Sequence, residues 1–132
     1  MRSFIVTLPD FRNAKIPPRM IAAEIYRGSS YGPKHPLAIP RVSLVVDMVH
    51  ALGWVDDSSY VTGPVATPAQ LTRFHDPDYV RAVMQAERDQ ILPEDMMVKF
   101  GLGKNGNPIY PEIFRRPATA AGSSILAAQM IA

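Results

Sequence analysis

Three histidines, one arginine at a helix start and a glycine-rich loop are the residues here whose types and spacing bear on chemistry. His35, His50 and His75 stand isolated in sequence, whereas a metal site needs several His, Asp or Glu side chains converging. His50 follows Asp47 by one helical turn, the spacing of a solvated pair. His75 adjoins Asp76, which reads as a helix cap. His35 lies in a proline-rich loop, where a hydrogen bond within the loop is its plain use. The chain has no cysteine, which excludes thiol nucleophiles, disulfides and thiolate metal sites. It also lacks a Gly-x-Ser-x-Gly elbow. These residues contain no complete catalytic constellation and no metal site. The stretch Lys99–Pro111, KFGLGKNGNPIYP, carries Gly101, Gly103 and Gly106 with Asn105 and Asn107. It lacks the lysine-hydroxyl ending of a phosphate-binding loop and the full dinucleotide fingerprint. Its glycines serve tight turns or let backbone approach a ligand closely.

The element that must position the arginine is Ser30–Gly53, SYGPKHPLAIPRVSLVVDMVHALG, a proline-punctuated loop running into a helix over Val42–Leu52. At roughly 100° per residue, only Ser43, Asp47 and His50 form a polar arc, and the apolar arc spans about 220°. An ordinary surface helix has an apolar stripe of a little over ~100°, so this one needs neighbours on two or three sides. Nothing caps its start, and Arg41 puts a cation at the positive end of the helix dipole. A broken local rule hints at a functional position; the plainer use of Arg41 is a surface carboxylate partner. Gly53 is placed to end the helix in a left-handed conformation.

Around this unit, residues 1–19 form an N-terminal arm and Met20–Tyr26 reads as a strand closed by Gly28-Ser29-Ser30. Ser59–Thr62 is a second strand. Thr67-Pro68-Ala69-Gln70 is a capping box with proline in the first helical position. Asp76-Pro77 caps a further helix to about Asp89, with Tyr79, Val80, Val83 and Ala86 on its buried face. Pro117–Ala132 has no charged residue and reads as a helix packed on nearly every side, with Gly122, Ser123 and Ser124 small enough to admit another backbone. These residues do not suffice to cover both it and the helix at 42–52, so the sequence reads as truncated.

Composition bounds the answer. With 132 residues, 47% of them hydrophobic, the chain makes one domain or part of one. The net charge of +2 and the single basic doublet, Arg115–Arg116, do not make a nucleic-acid binder. No apolar run reaches the ~20 residues of a membrane span. A soluble cytoplasmic protein is the expectation.

The order of segments resembles the N-terminal portion of the histone deacetylase and acetoin-utilisation deacetylase family, within the arginase/deacetylase superfamily. YGPKHPLAIPR before an apolar helix is similar to that family's Gly-x-Gly-His-Pro and Pro-x-Arg segment. ATPAQLTRFHDPDYVRAVMQAE, then FGLGKNGNPIYPEIF with AAGSSILAAQMI, follow in register, so the resemblance covers residues 20–132. It implies an α/β fold, the first part of a three-layer arrangement with a parallel sheet flanked by helices. It further implies hydrolysis of an acetyl-amide to acetate and amine by zinc, whose ligands lie in the family downstream of the last helix here. Arg41 matches the family arginine near the inner end of the active-site tunnel, where a fixed cation favours acetate passage, and His35 matches the loop histidine before it. Gly101, Gly103, Asn105, Gly106, Asn107 and Pro108 match one rim of the pocket.

Three departures stand out. Gly106 occupies the place where many members carry a substrate-gripping carboxylate, Lys34 replaces a glycine, and Pro117 interrupts a helix that usually runs on. The resemblance implies an acetylated amine as substrate, with the missing C-terminal part of the domain as the structural partner. The alternative is a stand-alone non-catalytic interaction module that buries its apolar helices against another protein.

Overall fold

The computed structural model describes residues 18–104 and 106–132; residues 1–17 of the expected arm at 1–19, and Asn105, lie outside the described residues. The chain forms β1 (Met20–Ala22), α1 (Ile25–Gly28), α2 (Arg41–Ala51), β2 (Tyr60–Thr62), α3 (Pro68–Leu71), α4 (Pro77–Asp89), α5 (Glu94–Phe100) and α6 (Arg115–Ile131). β1 and β2 pair in parallel, with Met20, Ile21 and Ala22 opposite Tyr60, Val61 and Thr62. The α1–α2 crossover between them is the connection that a parallel pair requires. This is an α/β arrangement with a parallel sheet flanked by helices.

The expected strand at 20–26 is shorter than its apolar run. After Ala22 the chain turns into α1, where Arg27 Nε donates to Glu24 Oε2 at 2.9 Å across one helical turn and Tyr26 becomes buried. The expected loop at 99–111 begins later as well. Lys99 and Phe100 close α5, which opens after Pro93 with Glu94 and Asp95 in its first turn and ends at the left-handed Gly101. Those acidic residues suit the positive end of a helix dipole.

Locally encoded ends are built as their residues dictate. Thr67 and Gln70 complete a reciprocal capping box. Asp76 Oδ1 accepts from the Asp78 and Tyr79 amides at 2.6 and 3.3 Å. At the end of α2, Gly53 has φ +67°, Trp54 N–H donates to Val49 O, and Gly53 N–H to His50 O, both at 2.9 Å. That is a Schellman ending, which a glycine adopts without strain.

The main core lies between α4 and the chain that follows it: Ala82, Val83 and Ala86 pack with Leu92, Leu102, Tyr110 and Ile113. Burying a leucine such as Leu102 contributes about 1.5–3 kcal/mol. The start of α6 is bound to this core from a distance. Glu87 Oε2 accepts the amides of Phe114 and Arg115, each at 2.9 Å, and Oε1 accepts Arg115 Nε at 2.7 Å. A carboxylate therefore caps a helix that has no capping side chain of its own, and Pro117 falls within the first turn, where its missing amide costs nothing.

α6 also touches the strand end. A side chain on Gly122 would lie 2.0 Å from Pro64 O, and Ala66 N–H donates to Ala118 O at 2.9 Å. The small residues thus admit a backbone at Gly122. Close packing holds only for the first half of α6, however: Ala118, Thr119 and Gly122 are buried, whereas residues 127–132 are exposed. The helix read as packed on nearly every side is packed by these residues on one side and over half its length.

α2 buries one residue of each arc. Ser43 and Val46 are its buried residues. Asp47 takes both Arg27 Nη atoms, at 2.8 and 2.9 Å, and the His50 ring meets Tyr60 edge-on at 5.9 Å. Most of the apolar arc is exposed: Val42, Leu44, Val45, Met48 and Leu52 are each 42–53% exposed.

Candidate functional site

Two loops meet beside the main core. The first runs from Tyr31 to Pro40 and the second from Gly101 to Pro108. Between them lies an open cleft of about 470 Å³, lined by Tyr31–Pro36 on one side and by Gly103, Lys104, Gly106 and Pro108 on the other.

The second loop is a small self-bonded hairpin. Gly103 N–H donates to Asn107 O at 2.8 Å, and Asn107 N–H to Lys104 O at 3.0 Å. Asn107 Nδ2 donates to Gly101 O at 2.8 Å. Gly101, Gly103 and Gly106 have φ of +66°, +74° and +78°, conformations that disfavour any residue with a Cβ.

His35 joins the two loops. Its Nδ1 accepts from Leu37 N–H at 3.1 Å and its Nε2 lies 2.9 Å from Gly106 O. An amide only donates and a carbonyl only accepts, so these partners assign the proton to Nε2. The loop hydrogen bond read for His35 is therefore a bond between loops. The ring leans on Tyr31 with centroids 4.7 Å apart, and Tyr31 meets Tyr110 edge-on at 4.8 Å. Burial first, and then Tyr31 beside it, raise the Tyr110 phenol above its ordinary range, so it remains an uncharged hydrogen-bonding group at neutral pH.

Arg41 opens α2 with its guanidinium turned back along the proline loop, Nη2 lying 3.4 Å from Pro36 O. Among the described residues no carboxylate pairs with it. Arg41 is exposed and does not line the cleft between the loops. Residues not singled out from the sequence complete the cluster: Tyr31, Tyr110 and Arg116, whose guanidinium stacks 4.5 Å over Tyr31. Only the Arg115–Arg116 doublet gave a signal, and it does not point to a tyrosine 85 positions earlier. Among the described residues, no three His, Asp or Glu side chains converge as a metal ion would require, so these residues do not form a ligand set for zinc.

The histone deacetylase domain family matches residues 35–132. The chain belongs to the histone deacetylase family. Acetoin utilization protein AcuC of Bacillus subtilis (strain 168) is 26% identical over 106 residues, which are 80% of this chain and 27% of that protein. Histone deacetylase 9 of Arabidopsis thaliana is 28% identical over 107 residues, 79% of this chain and 25% of that one. A crystal structure of an HDAC homolog complexed with SAHA superposes with a TM-score of 0.81 at 32% identity, over 85% of this chain and 30% of its own. The HDAC homolog from Aquifex aeolicus gives 0.80 at 32% identity, over 84% and 30%. The chain thus spans between a quarter and a third of the length of these histone deacetylase relatives. Among the described residues, no helix is long and apolar enough to cross a membrane.

Proposed function

We propose that this chain is the N-terminal part of a zinc-dependent deacetylase that hydrolyses an acetyl-amide to acetate and amine. Residues 20–132 then form the opening layers of one catalytic domain, with residues 1–19 as an arm. The reading is carried by family membership together with the His35 bond that draws the proline loop and the glycine loop into one cleft. Water adds to the acyl carbon, the carbon–nitrogen bond breaks and the amine leaves with a proton. Zinc, held by residues outside this chain, would supply the Lewis acid that polarises the acyl carbonyl and the attacking water. In this scheme His35 and the rim formed by Gly101, Gly103, Asn105, Gly106, Asn107 and Pro108 shape the approach to the acyl group. Arg41 supplies a fixed cation that favours departure of acetate. The substrate class is an acetylated lysine, polyamine or small metabolite, and the cytoplasm suits a chain without cysteine.

The exposed apolar arc of α2 supports the same reading, because an exposed apolar face of this extent needs a cover and the histone deacetylase relatives are about three times as long. The same arc also favours a second reading, a stand-alone interaction module that buries the arc against a different protein. Acetate release from an acetylated-amine panel by the full-length protein, with zinc content measured alongside, separates the two. Release that a chelator abolishes supports the deacetylase. A full-length protein without zinc or turnover, purified bound to a partner through α2, supports the module.

A further inference from the structure

We propose that Arg116 is a positioning residue that holds the cleft in shape by clamping Tyr31, against which His35 packs. The two arginines of the doublet part company at the start of α6. Arg115 goes to Glu87, while Arg116 crosses to the chain after α1, where Nη1 donates to Ser29 O at 2.8 Å. Its guanidinium lies 4.5 Å from the centroid of Tyr31 and 5.8 Å from that of Tyr26. Tyr26 and Ser29 are buried, and a half-buried cation over aromatic faces is attracted more strongly than one in water.

Contacts then run on without a gap. Tyr31 leans on His35 and His35 reaches Gly106, so one guanidinium on α6 determines where the proline loop stands relative to the glycine loop. Without it, Tyr31 keeps Tyr110 as a neighbour but loses the flat cation on its other contact surface, and the carbonyl of Ser29 loses its donor.

This inference rests on the deacetylase reading for its kinetic arm only, and the test keeps the two apart. The full-length protein is prepared as wild type, Arg116→Met and Arg116→Lys. The Nε2–H resonance of His35 is followed by ¹⁵N NMR and assigned by its loss in His35→Gln. The Met variant is expected to broaden or lose that resonance and to raise KM for the acetylated substrate about tenfold, the worth of one cation–π contact and one hydrogen bond. In this variant kcat should change less than twofold. Lysine keeps a cation over the ring and should recover at least half of the effect on a logarithmic scale. A Met variant with an unchanged His35 resonance overturns the proposal, whatever its melting temperature. So does a KM rise that lysine does not relieve. Should the Met variant fail to fold, Tyr31→Leu, which keeps the guanidinium and removes the ring, carries the same expectations and the same refutation. If the wild type cleaves no acetyl-amide, the deacetylase reading falls, and the NMR arm alone decides the role of Arg116.

Discussion

The imidazole of His35 and the carbonyl of Gly106 lie 2.9 Å apart across 71 positions of sequence, and this bond makes one cleft out of two loops. Replacing His35 by Phe keeps a ring against Tyr31 and removes the bond. The glycine loop should then open more often: a neutral hydrogen bond is worth about 1 kcal/mol net, so amide exchange at Gly103 should quicken about fivefold. Hydrogen exchange with mass spectrometry reads this directly, and unchanged protection of the loop would show that its own hairpin bonds hold it.

Gly122 is required by a neighbour rather than by its own backbone angles. A Cβ there would sit 2.0 Å from Pro64 O and 2.8 Å from Ala66 N, both backbone atoms that cannot rotate away. Gly122→Ala should destabilise by about 1–3 kcal/mol or more, despite alanine's better helix propensity. Urea denaturation of this variant beside Gly28→Ala, where a methyl meets open space, isolates the clash; equal midpoints would refute it.

Glu87 is the cap of α6. Its side chain is only 16% exposed, so its loss leaves two amides and Arg115 without their acceptor. Glu87→Ala should cost about 2 kcal/mol, in the range of hydrogen bonds to charged groups. Glu87→Gln, which keeps an oxygen but not the charge, should cost less. The Arg27–Asp47 pair offers a contrast. It is bidentate but about half exposed on both sides, and removing it should leave the denaturation midpoint nearly unchanged.

Asp56 organises the turn into β2. The hydroxyls of Ser58 and Ser59 donate to Oδ1 at 2.7 and 2.9 Å, and the Ser59 amide at 2.9 Å. These bonds, the Ser58 hydroxyl first, lower its pKa from 3.8 to about 2. A carboxylate with a depressed folded-state pKa stabilises fully above the unfolded value. Its contribution is therefore whole above pH 3.8 and fades as the pH falls through about 2. Carboxyl ¹³C NMR should place the titration midpoint of Asp56 near 2, and a midpoint at 3.8 would contradict the turn geometry.

What could be read from the sequence was what is local. Thr67 with Gln70, Asp76 before Pro77, and Gly53 after α2 each complete a motif within six residues, and each is built as its composition dictates. The loops carrying His35 and Gly106 were legible through motif order, although the bond between them was not. The orientation of α2 was hidden for a physical reason. A polar arc reads as a solvent face, yet here Ser43 is buried with its hydroxyl on Pro40 O at 3.0 Å, and Asp47 is taken by Arg27. Most of the apolar arc, by contrast, is exposed. Glu87 and Arg116 escaped notice because a long-range cap and a cation on a distant ring leave no spacing to count.

Acetate release at saturating acetyl-amide, measured with zinc content for full-length wild type and Arg41→Ala, decides whether this chain opens a zinc deacetylase with Arg41 at its acetate exit. The wild type should release acetate, and the variant should retain its zinc while kcat falls about tenfold or more, one fixed charge's worth of stabilisation. A wild type that releases no acetate, or a variant that loses its metal or keeps its full kcat, would contradict that reading.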